Sequence, residues 1–122
     1  MINPTYNLPR IKFVGGETKR LYFYMQTEPG VAADVAGCTV ALAIRDFNNP
    51  EGESVFELNC NIKADSNETD SIVVADIPPQ ATVNLRGRYI YQITIKDSGG
   101  VVDIPGQGYM DIIKNIHPDF IA

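Results

Sequence analysis

The clearest run of alternating positions lies between Gly87 and Lys96. Tyr89, Tyr91, Ile93 and Ile95 fall on one face, and Ile90, Gln92, Thr94 and Lys96 on the other. Period-two alternation in β-branched and aromatic residues predicts a strand with one buried face. Asp97, Ser98, Gly99 and Gly100 follow, and these residues suit a hairpin turn. The same alternation recurs along the chain. Arg10 to Val14 reads as a strand ended by Gly15 and Gly16. Lys19 to Gln26 is a second strong strand, with Leu21, Phe23 and Met25 pointing one way and Tyr22, Tyr24 and Gln26 the other. Cys38 to Arg45 alternates through Val40, Leu42 and Ile44. Ser54 to Lys63 places Phe56, Leu58, Cys60 and Ile62 inward. Ser71 to Asp76 is a shorter strand.

Punctuation between these runs is equally regular. Asn48 to Gly52 and Asp65 to Asp70 are polar loops. Pro78 and Pro79 bar a continuous strand and favour a short helical turn from Pro79 to Asn84. Pro105 and Gly106 are expected to interrupt the ladder, dividing Val101–Ile104 from a last strand at Gly108–Lys114. No amphipathic helical segment of useful length appears. Crossover helices are therefore missing, and a parallel sheet is not expected. The pattern predicts an all-β fold, an immunoglobulin-like β-sandwich of about seven antiparallel strands with Greek-key-like connections, a barrel being the competitor. A single domain over residues 1–122 is expected, with residues 1–9 as an extended N-terminal arm and 115–122 as a C-terminal tail.

Composition narrows the class without changing it. The chain has 122 residues, 44% hydrophobic and 20% charged, which suits one folded domain with its own core. The formal net charge of −5 and the scattered Lys and Arg residues argue against nucleic-acid binding. No secretory signal and no membrane-length apolar run is present, so folding in a cytoplasm is expected. Cys38 and Cys60 are then expected to be buried thiols, with a disulfide between adjacent strands as the alternative.

Candidate chemistry is sparse. Nucleophilic catalysis needs a histidine held beside the nucleophile, and the one histidine, His117, lies in the tail before Pro118. Glu51, Glu53 and Glu57, like Asp65, Glu68 and Asp70, fall in loops or on outward positions and read as a solvated acidic rim. The loop from Asp65 to Asp70 offers oxygen ligands for calcium but lacks the glycine and closing glutamate of an EF-hand loop. No catalytic residues, no cofactor and no metal site are expected. The aromatic residues are the remaining handle. Tyr22 and Tyr24 form a candidate interface, because a tyrosine pair on a strand face offers both an apolar ring and a polar tip. A saccharide platform and ordinary sandwich filling use the same residues.

Four stretches carry a resemblance. They are Asp-Val-Ala-Gly-Cys-Thr-Val-Ala-Leu-Ala-Ile-Arg at 34–45, Ile-Pro-Pro-Gln-Ala-Thr at 77–82, the strand and turn at 87–100, and Gly-Tyr-Met-Asp-Ile-Ile at 108–113. Together they resemble the N-terminal domain of phage baseplate upper proteins, and related small β-sandwich proteins of phage and prophage structural gene clusters in Gram-positive bacteria. The resemblance covers roughly residues 10 to 115. It implies a non-enzymatic scaffold or adaptor of a virion, in baseplate, tail or head. Its partners would be other virion proteins or further copies of itself, with no nucleic acid and no membrane. The chain stops before the downstream segments of the baseplate proteins, so a small head or tail accessory protein is expected equally. The location expected is the virion, or the host cytoplasm during assembly. The alternative is a carbohydrate- or cell-surface-binding module of the same architecture.

Overall fold

The computed structural model describes residues 8–28 and 30–121. Most of the predicted arm, residues 1–7, and the last residue of the tail lie outside that range. In chain order the strands are β1 (Ile11–Val14), β2 (Lys19–Tyr24), β3 (Gln26–Glu28), β4 (Val31–Ala32), β5 (Thr39–Asp46), β6 (Phe56–Ala64) and β7 (Asp70–Ile77). A single helical turn, α1 (Pro79–Thr82), precedes β8 (Gly87–Lys96) and β9 (Val102–Ile113), and a 3-10 turn spans Pro118–Phe120. Seven strands pair in the order β1-β9-β8-β5-β6-β7-β2, and β3 and β4 form a separate ribbon.

This row folds over on itself at β6. Phe56 to Cys60 pair with β5, whereas Asn61 to Ala64 pair with β7. One strand thus serves two sheets, β1-β9-β8-β5 on one side and β7-β2 on the other. Corner strands of this kind let two sheets face each other and share one core. The Phe23 ring of β2 lies 5.9 Å from the Tyr91 ring of β8 across that core. Strands β5, β6 and β7 follow one another, and β8 returns through α1 to lie beside β5, which is a Greek key. The protein is an all-β, immunoglobulin-like sandwich. One pair departs from the antiparallel expectation: β1 runs parallel to β9, with Ile11 opposite Met110 and Val14 opposite Ile113.

The alternation along β8 is realised in full. Tyr91 and Ile93 are completely buried, with Tyr89 and Ile95 nearly so. The Tyr91 ring occupies space left by Gly108 on β9, where an added Cβ would meet ring atoms at 2.7 Å. Its hydroxyl donates to the Pro9 carbonyl and so ties the incoming chain to the core. The Tyr89 hydroxyl donates to the Arg86 carbonyl (3.0 Å) and accepts from the Arg86 N–H (3.3 Å). This pins the corner where α1 hands the chain to β8, in the manner of the tyrosine corner of immunoglobulin-like domains. The end of the predicted arm is not loose: Leu8 is buried and its N–H donates to the Gln107 carbonyl (3.0 Å).

Three expectations need correction. Pro105 and Gly106 do not divide the last strand. The ladder continues from Val102 to Ile113 and absorbs one extra residue as a bulge, since Ile93 faces Gly106 while Ile95 faces Asp103. A bulge leaves one residue without ladder bonds, so the missing N–H of Pro105 costs nothing there. The strand expected to run to Gln26 ends at Tyr24, and Gln26 to Glu28 pair instead with β4. The inward residues of β6, namely Phe56, Leu58, Cys60 and Ile62, are only half-buried and pack at the margin of the core, on the strand that turns the corner between the two sheets.

Candidate functional site

Two outward faces concentrate what chemistry the surface has. The first lies over β7 and β2. Tyr22 and Tyr24 both point outward, 45% and 65% exposed. Register sets Tyr22 beside Val74 and Tyr24 beside Ile72. On the far side of β7 the same two residues meet Asn61 and Lys63 of β6. Ile72 and Val74 are therefore buried on the outer face of the sheet, between two flanking strands. That explains the continuous apolar run of β7, which is buried on both faces. The Lys63 ammonium sits 5.7 Å from the centre of the Tyr22 ring. Arg20 and Asp76 form an ion pair at the end of this face. Tyr22 and Tyr24 thus shield two aliphatic side chains and still present ring surface to solvent.

The second face covers β1, β9, β8 and β5, and its residues fall in rows set by register. Arg88 lies opposite Asp111, which in turn faces Lys12. Ile90 lies between Arg45 and Tyr109. Gln92 lies between Ala43 and Gln107. The first two rows are bound by Arg88, whose guanidinium is 5.6 Å from the Phe47 ring and 5.5 Å from the Tyr109 ring. The two rings meet edge to face at 5.5 Å. Arg10 stacks over Tyr109 at 5.7 Å. Asp111 accepts from Arg88 Nε at 2.9 Å and lies 3.5 Å from Arg10 Nε. The Arg88 hydrogen bond holds the Asp111 carboxyl below the usual range, with the charges of Arg88, Arg10 and Lys12 adding to it. Below them, Gln107 Nε2 donates to Gln92 Oε1 (2.7 Å) and Gln92 Nε2 to Thr94 Oγ1 (2.9 Å). A groove of about 290 Å³ runs over Ala43, Ile90 and Gln92, with Arg45 and Pro50 on its wall. Arg45 is held there by donating to the Pro50 carbonyl (3.0 Å).

The sequence reading found the first face and missed the second. Arg88, Ile90, Tyr109 and Asp111 could be assigned to the outward phase of their strands. That Phe47 and Arg10 join them depends on register, which the strand pattern alone does not give.

The other singled-out residues are placed as follows. His117 is exposed in the tail, its ring 5.3 Å from that of Phe120, and its N–H donates to Asn115 Oδ1 (2.6 Å). Asp65 spends both oxygens within its own loop. Oδ1 accepts from Asn67 N (2.8 Å) and Thr69 N (3.0 Å), and Oδ2 from the Ser71 hydroxyl (2.8 Å). These donors, Ser71 foremost, lower the Asp65 pKa. Among the described residues no group of three His, Cys, Asp or Glu side chains is placed to hold a metal. No helix among them is long and apolar enough to cross a membrane. Cys38 and Cys60 are free thiols. Cys60 lies opposite Val40 on β5, so Cys38 is two residues from the position that faces it. Burial pushes the Cys60 thiol up to about 11, with a smaller contribution from Asp76. Cys38 is also raised, by burial first and then by Asp97, Asp34 and Asp103.

The strand order, the Greek key and the tyrosine corner define the class as an immunoglobulin-like β-sandwich. No family model matches the chain, and no curated protein matches it in sequence. Solved structures of similar shape include CopC from Methylosinus trichosporium OB3b, at 13% identity over 88% of each chain and a TM-score of 0.44. The fibronectin(III)-like modules of Clostridium thermocellum CbhA match at 10% identity over 93% of this chain and 98% of that one, with a TM-score of 0.43. Murine CRIg matches at 9% identity over 94% and 97%, with a TM-score of 0.33. Likeness at these values carries no inference about what the present chain does.

Proposed function

We propose that the protein is a non-enzymatic assembly module, working through protein–protein contacts as a structural or adaptor component of a phage or prophage virion. The observation that supports this most is the second face. Tyr, Phe and Arg are the residue types enriched where proteins bind one another, and arginine stacked on aromatic rings keeps them fixed while exposed. Phe47, Tyr109, Arg10 and Arg88 form such a group on a rigid sheet. Tyr22 and Tyr24 offer a second contact area on the opposite sheet. The virion setting draws on the resemblance of residues 34–45, 77–82, 87–100 and 108–113 to baseplate and related structural proteins. The test is mass spectrometry of particles purified from the source organism. The chain is expected in stoichiometric amount beside capsid and tail proteins. Its absence from particles in which those proteins are found would overturn the virion assignment.

A saccharide-binding module is the second reading, favoured by the amide pair Gln92 and Gln107 beside the exposed Tyr109 ring. Glycan-array binding that is lost in Tyr109→Ala, with the fold retained, would replace the first reading by this one.

A further inference from the structure

Two neighbouring rows on the outer face of β1, β9, β8 and β5 carry a charge opposite to that of the chain. One row is Lys12, Asp111, Arg88 and Phe47, the last joined by its N–H to the Arg88 carbonyl (3.1 Å). The other is Arg10, Tyr109, Ile90 and Arg45, with Arg10 laid over the Tyr109 ring. Four cations meet one carboxylate in these rows, on a chain whose formal net charge is −5. Asp111 answers Arg88 and Arg10 together, so each guanidinium keeps N–H groups to spare. Arg45 spends one N–H on the Pro50 carbonyl and keeps the others. Among the described residues, Lys12 and Arg45 form no ion pair with a carboxylate. Arg88 is held between the Phe47 and Tyr109 rings, so little of its freedom is left to lose on binding. The next row, Gln107, Gln92 and Ala43, runs on to Glu57 of β6 and marks the limit of the cationic area. Glu51 and Glu53 belong to the loop beyond Pro50, outside the rows.

We propose that these rows dock an extended acidic segment of a partner protein, in which an aliphatic residue sits between two carboxylates. Charge complementarity is the first argument and spacing the second. Arg10 and Arg45 stand at the two ends of one row, about 14 Å apart at roughly 4.8 Å per strand. In an extended peptide the side chains at i and i+4 share a face and lie about 13 Å apart at roughly 3.3 Å per residue. A segment crossing the strands therefore sets one carboxylate on Arg10 and the other on Arg45. The residue midway between them lies over Tyr109 and Ile90. The groove of about 290 Å³ over Ala43, Ile90 and Gln92 receives its aliphatic side chain. Lys12 and Arg88, in the adjoining row, add attraction for the same charges. Guanidinium groups take carboxylates through paired hydrogen bonds, which fixes direction as well as affinity. A nucleic acid would lay unbroken negative charge across Asp111 and against an acidic chain, so the spaced carboxylates of a peptide fit better. This inference rests on the assembly reading given above and states the chemistry of the partner.

The test titrates the purified full chain with an end-blocked synthetic peptide, Gly-Glu-Ser-Leu-Ser-Glu-Gly, and follows it by two-dimensional NMR. Shifts centred on Tyr109, Ile90 and Ala43 are expected, saturating with a Kd below about 1 mM. Replacing both glutamates of the peptide by glutamine should weaken binding at least about tenfold. A peptide whose glutamates are separated by a single residue should bind more weakly too. Arg10→Glu and Arg45→Glu, both at exposed positions, should each cost about tenfold with the melting temperature unchanged. The double variant should prefer the same peptide with lysines in place of its glutamates. No saturable binding, equal binding of the glutamine peptide, or indifference to both variants would overturn the proposal. Tighter binding of oligothymidylate or of an oligogalacturonate would also overturn it, in favour of a nucleic acid or an acidic saccharide. A chain found in purified particles that ignores the peptide would sink this inference alone. A chain that takes the peptide but is missing from particles would sink the virion assignment alone.

Discussion

Tyr91 shows how much one side chain decides. Its ring fills the space over Gly108, touches Phe23 of the other sheet, and its hydroxyl reaches back to the Pro9 carbonyl. Burial without a nearby charge pushes its phenol well above the ordinary value. Tyr91→Ala should cost about 3–5 kcal/mol, read by denaturant unfolding. Tyr91→Phe keeps the ring and should cost about 1 kcal/mol, the usual net worth of one hydrogen bond. Near-wild-type stability in the alanine variant would mean the ring is not in the core. The cysteines differ in a way that can be read chemically. The thiolate is the reactive form, so a raised pKa slows labelling at a given pH. With Cys60 pushed up to about 11 and Cys38 raised near an acidic cleft, Cys38 should react first with a disulfide reagent at pH 8. Equal rates in Cys38→Ser and Cys60→Ser variants would contradict that order.

At the scale of elements, alternation was the signal that survived folding. β8 and β5 bury the faces their patterns predicted, and β2, whose pattern left two choices, buries Leu21 and Phe23, because period two allows only one choice once a core exists. Where the sequence misled, the cause was a neighbour. Pro105 looks like a break until β9 is seen to bulge around it beside β8. The half-burial of β6 and the two-sided burial of β7 follow from positions in the sheet order, which no local window encodes. The Tyr22 and Tyr24 pair was legible as outward residues of one strand. The Phe47, Tyr109, Arg88 and Arg10 group was not, since its members come from four separate parts of the chain. The loop between β6 and β7 gives a pH test. Asp65 is more acidic in the fold than in the unfolded chain, so its hydrogen bonds contribute stability above the ordinary aspartate value of about 3.9. That contribution is lost as pH falls through the lowered native value. Asp65→Asn should flatten the acid limb of a stability–pH profile, and an unchanged limb would show that the loop carries none of it.

At the scale of the whole molecule, β1 and β2 are joined by a short turn yet stand at opposite ends of the strand order. The turn is held by Gly16, whose positive φ suits glycine and whose N–H donates to the buried Thr82 hydroxyl (2.9 Å). Thr82 belongs to α1, so the turn between β1 and β2, the crossover into β8 and both edge strands meet at one end of the sandwich. The parallel pairing of β1 with β9 adds a mechanical property. The chain enters β1 at one end of that pair and leaves β9 at the other. Tension applied through these two strands therefore pulls them past each other lengthwise. All their cross-strand bonds bear the load together, and none can be peeled open in turn. Pulled by those two ends, the pair would resist stretching by shear along its whole length.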